Sequence, residues 1–241
     1  MASLAPSRPR LSAERKFYLG MGFAMLILIF IGFGPSYYFV PVAPRPPMVP
    51  MSPLVHLHGV VFSLWVLLLM VQIGLVSANR RDIHMKLGML GLPMALAMMV
   101  LGTITALHGV HRASGPPMID PLSWLAMPLW SVPAFGGFLI AGLWQRRDRQ
   151  AHKRFMMLAM FSMLQAAAGR MPIFAGLSGL LLVPGLFIIA QMVWDRVSLG
   201  RIHYVTWIAL AVFPLSTLIP IFTWRTEAWL GFARWASGLV A

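Results

Sequence analysis

Residues 53–111 read PLVHLHGVVFSLWVLLLMVQIGLVSANRRDIHMKLGMLGLPMALAMMVLGTITALHGVH. Two apolar runs, Leu54–Val76 and Leu87–Leu107, flank the polar turn Asn79–Lys86. At ~1.5 Å per helical residue, each run can cross a hydrocarbon core of ~30 Å. Histidines stand only at the ends of these runs. A helical hairpin therefore gathers His56, His58, His108 and His111 at one membrane face and leaves His84 at the other.

Outward from this hairpin the same pattern repeats. Of 241 residues, 59% are hydrophobic and 10% charged, and the mean hydropathy is +0.78. A soluble domain could not hide that much apolar surface, so lipid is the expected solvent. The expected fold is an all-α bundle of seven transmembrane helices. A basic tail covers residues 1–16, the bundle residues 17–224, and an interfacial amphipathic helix residues 225–241. The spans are Phe17–Val40, the two of the hairpin, Leu122–Trp144, Phe155 to about Arg170, Leu177–Trp194 and Tyr204–Trp224. Between the first two, residues 41–53 hold six prolines and read as an extended connector. Asp120 before Pro121 reads as a helix cap with proline at the first helical position. In the tail, Trp229, Phe232, Trp235 and Leu239 fall on one side of a helix, as an interfacial segment requires.

The net charge of +13 does not point to nucleic acid. The basic residues lie in short loops between apolar runs, where they set topology. Fourteen fall on the side of the N-terminus and five on the other. The N-terminus is therefore expected inside a bacterial inner membrane and the C-terminus in the periplasm. The six acids, Glu14, Asp82, Asp120, Asp148, Asp195 and Glu227, avoid the middle of every run. That disfavours carboxylate-bridged metal pairs and proton-coupled carriers. The absence of cysteine excludes disulfides, thiolate metal sites and covalently attached haem. No G-x-S-x-G, H-E-x-x-H or phosphate-binding glycine loop occurs.

What remains is histidine. His108 and His111, spaced i, i+3, share a helix face. His56 and His58, spaced i, i+2, do not. His58 and His108 sit at matching depth on facing helices, the arrangement that bis-histidine haem ligation needs, with His56 and His111 as alternates. A small metal site from His108, His111, one of the first pair and Asp120 is the other use of the same residues. At the opposite face His84, His152 and His203 each follow an Asp/Arg turn and open a span, a short internal repeat. The positive end of a helix dipole favours the neutral, ligating imidazole there. His152 with His84 or His203 would form an inner site. Arg170, about 22 Å along its span, requires an anionic partner or a route to the interface. A haem propionate is one such anion, for Arg170 or for Arg112.

Short segments also resemble an uncharacterised bacterial family of polytopic membrane proteins. His152-Lys153-Arg154-Phe155-Met156, with Arg170 eighteen residues after the histidine, matches its H-x-x-[WF]-M pattern and distant arginine. Arg81…His84…Gly88 and Gly200-Arg201-Ile202-His203 look like further pieces of it. The chain has Leu158 where that pattern usually has arginine. The arrangement is more distantly similar to the YozB/CtaM-type oxidase-assembly proteins and to the di-haem cytochrome b superfamily. The resemblance implies a histidine-rich membrane protein with haem b as cofactor. The expected function is electron transfer, with the lipid bilayer and a quinone or a respiratory or photosynthetic complex as partners. The alternatives are a non-catalytic accessory or assembly subunit of such a complex, and a small-solute carrier resting on Arg170 and the prolines of the later spans.

Overall fold

The computed structural model describes residues 12–42, 51–116, 118–171 and 177–240. Among them every regular element is helical: α1 Ala13–Phe33, α2 Pro53–Ser77, α3 Arg81–Gly88, α4 Gly91–His111, α5 Pro121–Trp124, α6 Ala126–Trp144, α7 Arg149–Ala168, α8 Leu177–Leu199, α9 Tyr204–Thr223 and α10 Glu227–Gly238. Six stretches are long and apolar enough to cross a membrane: Ala13–Tyr38, Pro53–Ser77, Gly91–His111, Pro121–Trp144, Gly179–Leu199 and Tyr204–Thr223. The chain is thus a multi-pass, all-helical membrane protein. Most of the proline-rich connector lies outside the described residues.

Local chemistry sets the helix ends. Ser12 caps α1, its hydroxyl accepting from Arg15 N–H at 3.4 Å, so the first helix starts four residues before Phe17. It passes at Gly34-Pro35 into a single π turn, Gly34–Tyr38, and stops two residues short of Val40. Asp120 caps α5 as its sequence context predicts, accepting from Ser123 N–H at 2.9 Å. Asp148 caps α7 by accepting from Gln150 and Ala151 N–H at 2.8 and 3.1 Å. That cap moves the start of the fifth long helix from Phe155 back to Arg149. Helix α8 runs five residues past Trp194 and takes in Asp195.

Helix α7 is the axis of the bundle, in contact with α1, α6, α8 and α9. Its small residues permit this. Ala151, Ala159, Ala167 and Ala168 are fully buried, and Gly32 of α1 lies so close that an added Cβ would stand 2.4 Å from the Ala167 carbonyl oxygen. Enclosed by neighbours, α7 has little lipid to face, so its first turns tolerate Lys153 and Arg154, which meet acids of α1 and α8. This is why it is less apolar than the other six. The α2–α4 hairpin is peripheral, with only 17% and 22% of its two apolar stretches buried.

At the far end from the N-terminus a second small core joins Leu107, Leu125, Ala233 and Ala236. It docks α10 across α4 and α5. Phe232, Trp235 and Leu239 are left outward, the apolar side of an interfacial helix.

Candidate functional site

At the far end, the register of α2 against α4 follows from one contact. The Phe62 ring lies 3.5 Å from where a Cβ on Gly102 would stand. His58 is one helical turn further out, ~6 Å beyond Phe62, and His108 is ~9 Å beyond Gly102. The two histidines therefore sit within about one turn of each other in depth, and six residues of helix turn His108 about 120° from the face that Gly102 shows to Phe62. The His58 ring packs on Phe62 with centroids 4.0 Å apart, and its Nδ1 is buried without a hydrogen-bond partner. Arg170 stands two residues past the end of α7. Its guanidinium lies 4.5 Å over the Phe33 ring and donates to the Ala166 carbonyl at 2.6 Å.

The alternates have other contacts. The Nε2 of His111 is hydrogen-bonded to the Ser237 carbonyl at 2.9 Å, tying α4 to α10. His56 is exposed, its carbonyl accepting from Tyr37 at 3.2 Å. It helps to line a cleft of about 440 Å³ with Tyr37, Tyr38, Val40, Pro41 and Met51. The Asp120 carboxylate is occupied by its cap, accepting from both N–H and hydroxyl of Ser123. Among the described residues no three His, Cys, Asp or Glu side chains converge as a metal site.

At the N-terminal end, His84 and His152 meet. Their ring centroids are 6.4 Å apart and the planes nearly perpendicular, at 87°. His84 rides on the short helix α3, not on the opening of α4. The Nδ1 of His152 is 2.7 Å from the Gly142 carbonyl oxygen, and the Nδ1 of His84 is buried without a partner. Burial, then the neighbouring His152 and Arg81, hold the His84 imidazole below its ordinary pKa. The third member of the repeat does different work. His203 caps α9, its Nδ1 accepting from Val205 N–H at 3.3 Å, and stacks on Tyr204.

The most developed polar structure at this end was not expected from the sequence. Arg154 and Asp195 form a fully buried ion pair between α7 and α8. Arg154 Nη1 also donates to the side-chain and main-chain oxygens of Gln150 at 2.6 and 2.9 Å. Asp195 also accepts from Gln191 at 2.9 Å, Thr206 at 2.5 Å and the His203 N–H at 3.0 Å. Gln191 reaches Tyr18 of α1 at 3.2 Å. Lys153 pairs with Glu14. The network ties α1, α7, α8 and α9 together, and each of the three guanidinium nitrogens of Arg154 meets an oxygen, as a buried charge requires. The sequence signal was the i, i+4 spacing of Gln191 and Asp195 on one helix face. Ending α8 at Trp194 concealed it.

Comparison with known proteins is silent: no family model, no curated protein and no solved structure matches this chain.

Proposed function

We propose that this chain is a cytochrome-b-like haem protein of electron transfer in a bacterial inner membrane, with the N-terminus cytoplasmic. In this reading α7 counts as the seventh span, enclosed by the six apolar ones, and the C-terminal helix lies at the periplasmic interface. The observation that carries the proposal is the far end of the α2–α4 seam. There Phe62 against Gly102 supports a similar depth for His58 and His108. The buried, unbonded Nδ1 of His58 is a nitrogen that the protein itself does not satisfy, which is unusual for a native interior.

The residue types suit the group. His58 and His108 would hold it, and Arg170 would offset a propionate charge. Phe62 would close the seam below, away from the interface. Bound haem supplies one-electron chemistry, with its potential set by the ligands and the surrounding dielectric. What the chain contributes is orientation. Phe62 holds the His58 ring, and the Phe33 face and the Ala166 carbonyl hold Arg170.

A dithionite-reduced minus oxidised visible spectrum of the purified protein, expressed with ample haem, is the test. The proposal requires b-type bands that weaken in both His58→Ala and His108→Ala. A featureless spectrum overturns it.

A second reading, an accessory or assembly subunit, is favoured by the exposed hairpin. Leu57, Val60, Leu64, Leu67 and Val71 all face outward on α2 at alternating spacings of three and four, the repeat of a helix-packing seam. Co-purification of a stoichiometric membrane complex, lost on replacing this row but not the histidines, distinguishes it from the haem reading.

A further inference from the structure

The N-terminal end of the bundle holds a cluster that the proposed haem does not use: His84 on α3, His152 and Met156 on α7, and Gln72 on α2. Four observations bear on it.

A nitrogen facing a carbonyl oxygen must carry the hydrogen, so the His152 Nδ1 contact with Gly142 fixes that ring's tautomer. In the neutral ring Nε2 is then the lone-pair nitrogen. Ligating histidines are oriented in the same way, by donating their other N–H to a carbonyl.

His84 Nδ1 is buried and unbonded. So is Gln72 Oε1, although the Gln72 amide donates to the His84 carbonyl at 3.2 Å and so holds α3 against α2. Two orphaned polar atoms where α3 meets α2 ask for a partner.

The ring separation suits a single ion. With ~2.0 Å from metal to each nitrogen, two imidazoles sharing one ion stand with centres roughly 6 Å apart. The observed value is 6.4 Å.

Met156 lies one turn after His152 on α7, and its sulfur packs against Gly142, 3.2 Å from where a Cβ there would lie. The glycine that orients His152 also seats a thioether.

We propose that His84 and His152 bind one copper(I) ion, with the Met156 thioether beside it. Charge decides between ions. The ligands are neutral and no carboxylate joins them, the nearby Asp82 being exposed and paired with Arg80. Arg81 opens α3, three residues before His84, and brings a positive charge. A divalent cation would meet that repulsion without compensation, whereas a soft monovalent ion takes two imidazoles and a thioether without an anion. This site is independent of haem at the far end.

The test is anaerobic transfer of Cu⁺ from a coloured chelator to the full-length, detergent-purified protein. One Cu⁺ per chain is expected, with affinity reduced at least ~100-fold in His84→Ala and in His152→Ala, a loss no smaller than that of a supporting residue. Zn²⁺ in excess should not displace the copper. Absence of transfer, transfer that persists in the double variant, or displacement by Zn²⁺ overturns the proposal. Copper K-edge absorption on the unmodified protein supplies a test that needs no variant. Two imidazoles on the metal are required, and coordination by sulfur alone, which the 19 methionines could provide elsewhere, overturns the site.

Discussion

Arg154 and Asp195, 41 residues apart in sequence, form one buried ion pair in which Arg154 Nε donates to Asp195 Oδ1 at 3.0 Å. Their side chains are 1% and 0% exposed. Removing one partner leaves the other charge stranded in low dielectric, so Arg154→Ala or Asp195→Ala should each cost about 3–5 kcal/mol. Replacing both with apolar residues of similar volume should cost clearly less than the worse single change, because no charge is then left unpaired. Thermal unfolding in detergent of the four proteins checks this. Additive losses would show that the pair is not coupled.

Gly32 and Gly20 of α1 form a matched test of packing. A Cβ at Gly32 would collide with the Ala167 backbone at 2.4 Å, whereas one at Gly20 meets nothing within 4 Å. Gly32→Ala should destabilise by at least 1–3 kcal/mol, the usual range for overpacking. Gly20→Ala should be neutral or stabilise by up to about 1 kcal/mol through helix propensity. Melting temperatures of the two variants, read against the parent, should move in different directions or by clearly different amounts.

Acidification should destabilise the metal-free protein. Burial, then charges such as those of His152 and Arg154, depresses the folded-state pKa of His84 and of His203 below the ordinary 6.5. Above that value both states are neutral and nothing is lost. As pH falls through it the unfolded chain takes up protons that the folded chain resists, and stability declines. His84→Gln should flatten the pH dependence of the melting temperature between about pH 7 and 5. An unchanged slope would remove His84 from the account.

Among the described residues the C-terminal helix is held by few polar contacts. Trp229 Nε1 donates to the Leu122 carbonyl at 2.9 Å, and His111 bonds the Ser237 carbonyl at 2.9 Å. Trp229→Phe keeps the ring and loses the first of these, so α10 should open more often. Trypsin cleavage after Arg225 or Arg234 should accelerate about five-fold or more, as expected for a loss of ~1 kcal/mol in local stability. Mass spectrometry of timed digests would show it.

How much of this was legible beforehand differs between elements. Each long apolar run became a helix, and the caps at Asp120 and the tail helix near Trp229 followed from local chemistry. The pairing of His84 with His152 was one of two options left open by the repeat. The sequence could not choose between them, because helix order around a bundle leaves no periodic trace in the chain. Only packing shows that α3 turns His84 toward α7 while His203 is taken up as the cap of α9.

The sequence by itself determined the apolar, helical class and the separation of histidines between two ends of the bundle. These follow from apolar length and the placement of charge, which act residue by residue. Tertiary structure alone decided that α7 is the buried axis and that Arg154 meets Asp195. A charged helix start reads as a solvated turn until neighbouring helices enclose it. Whether a basic residue is wet or buried depends on what packs around it, and for Arg154 that partner comes from another helix, 41 residues away.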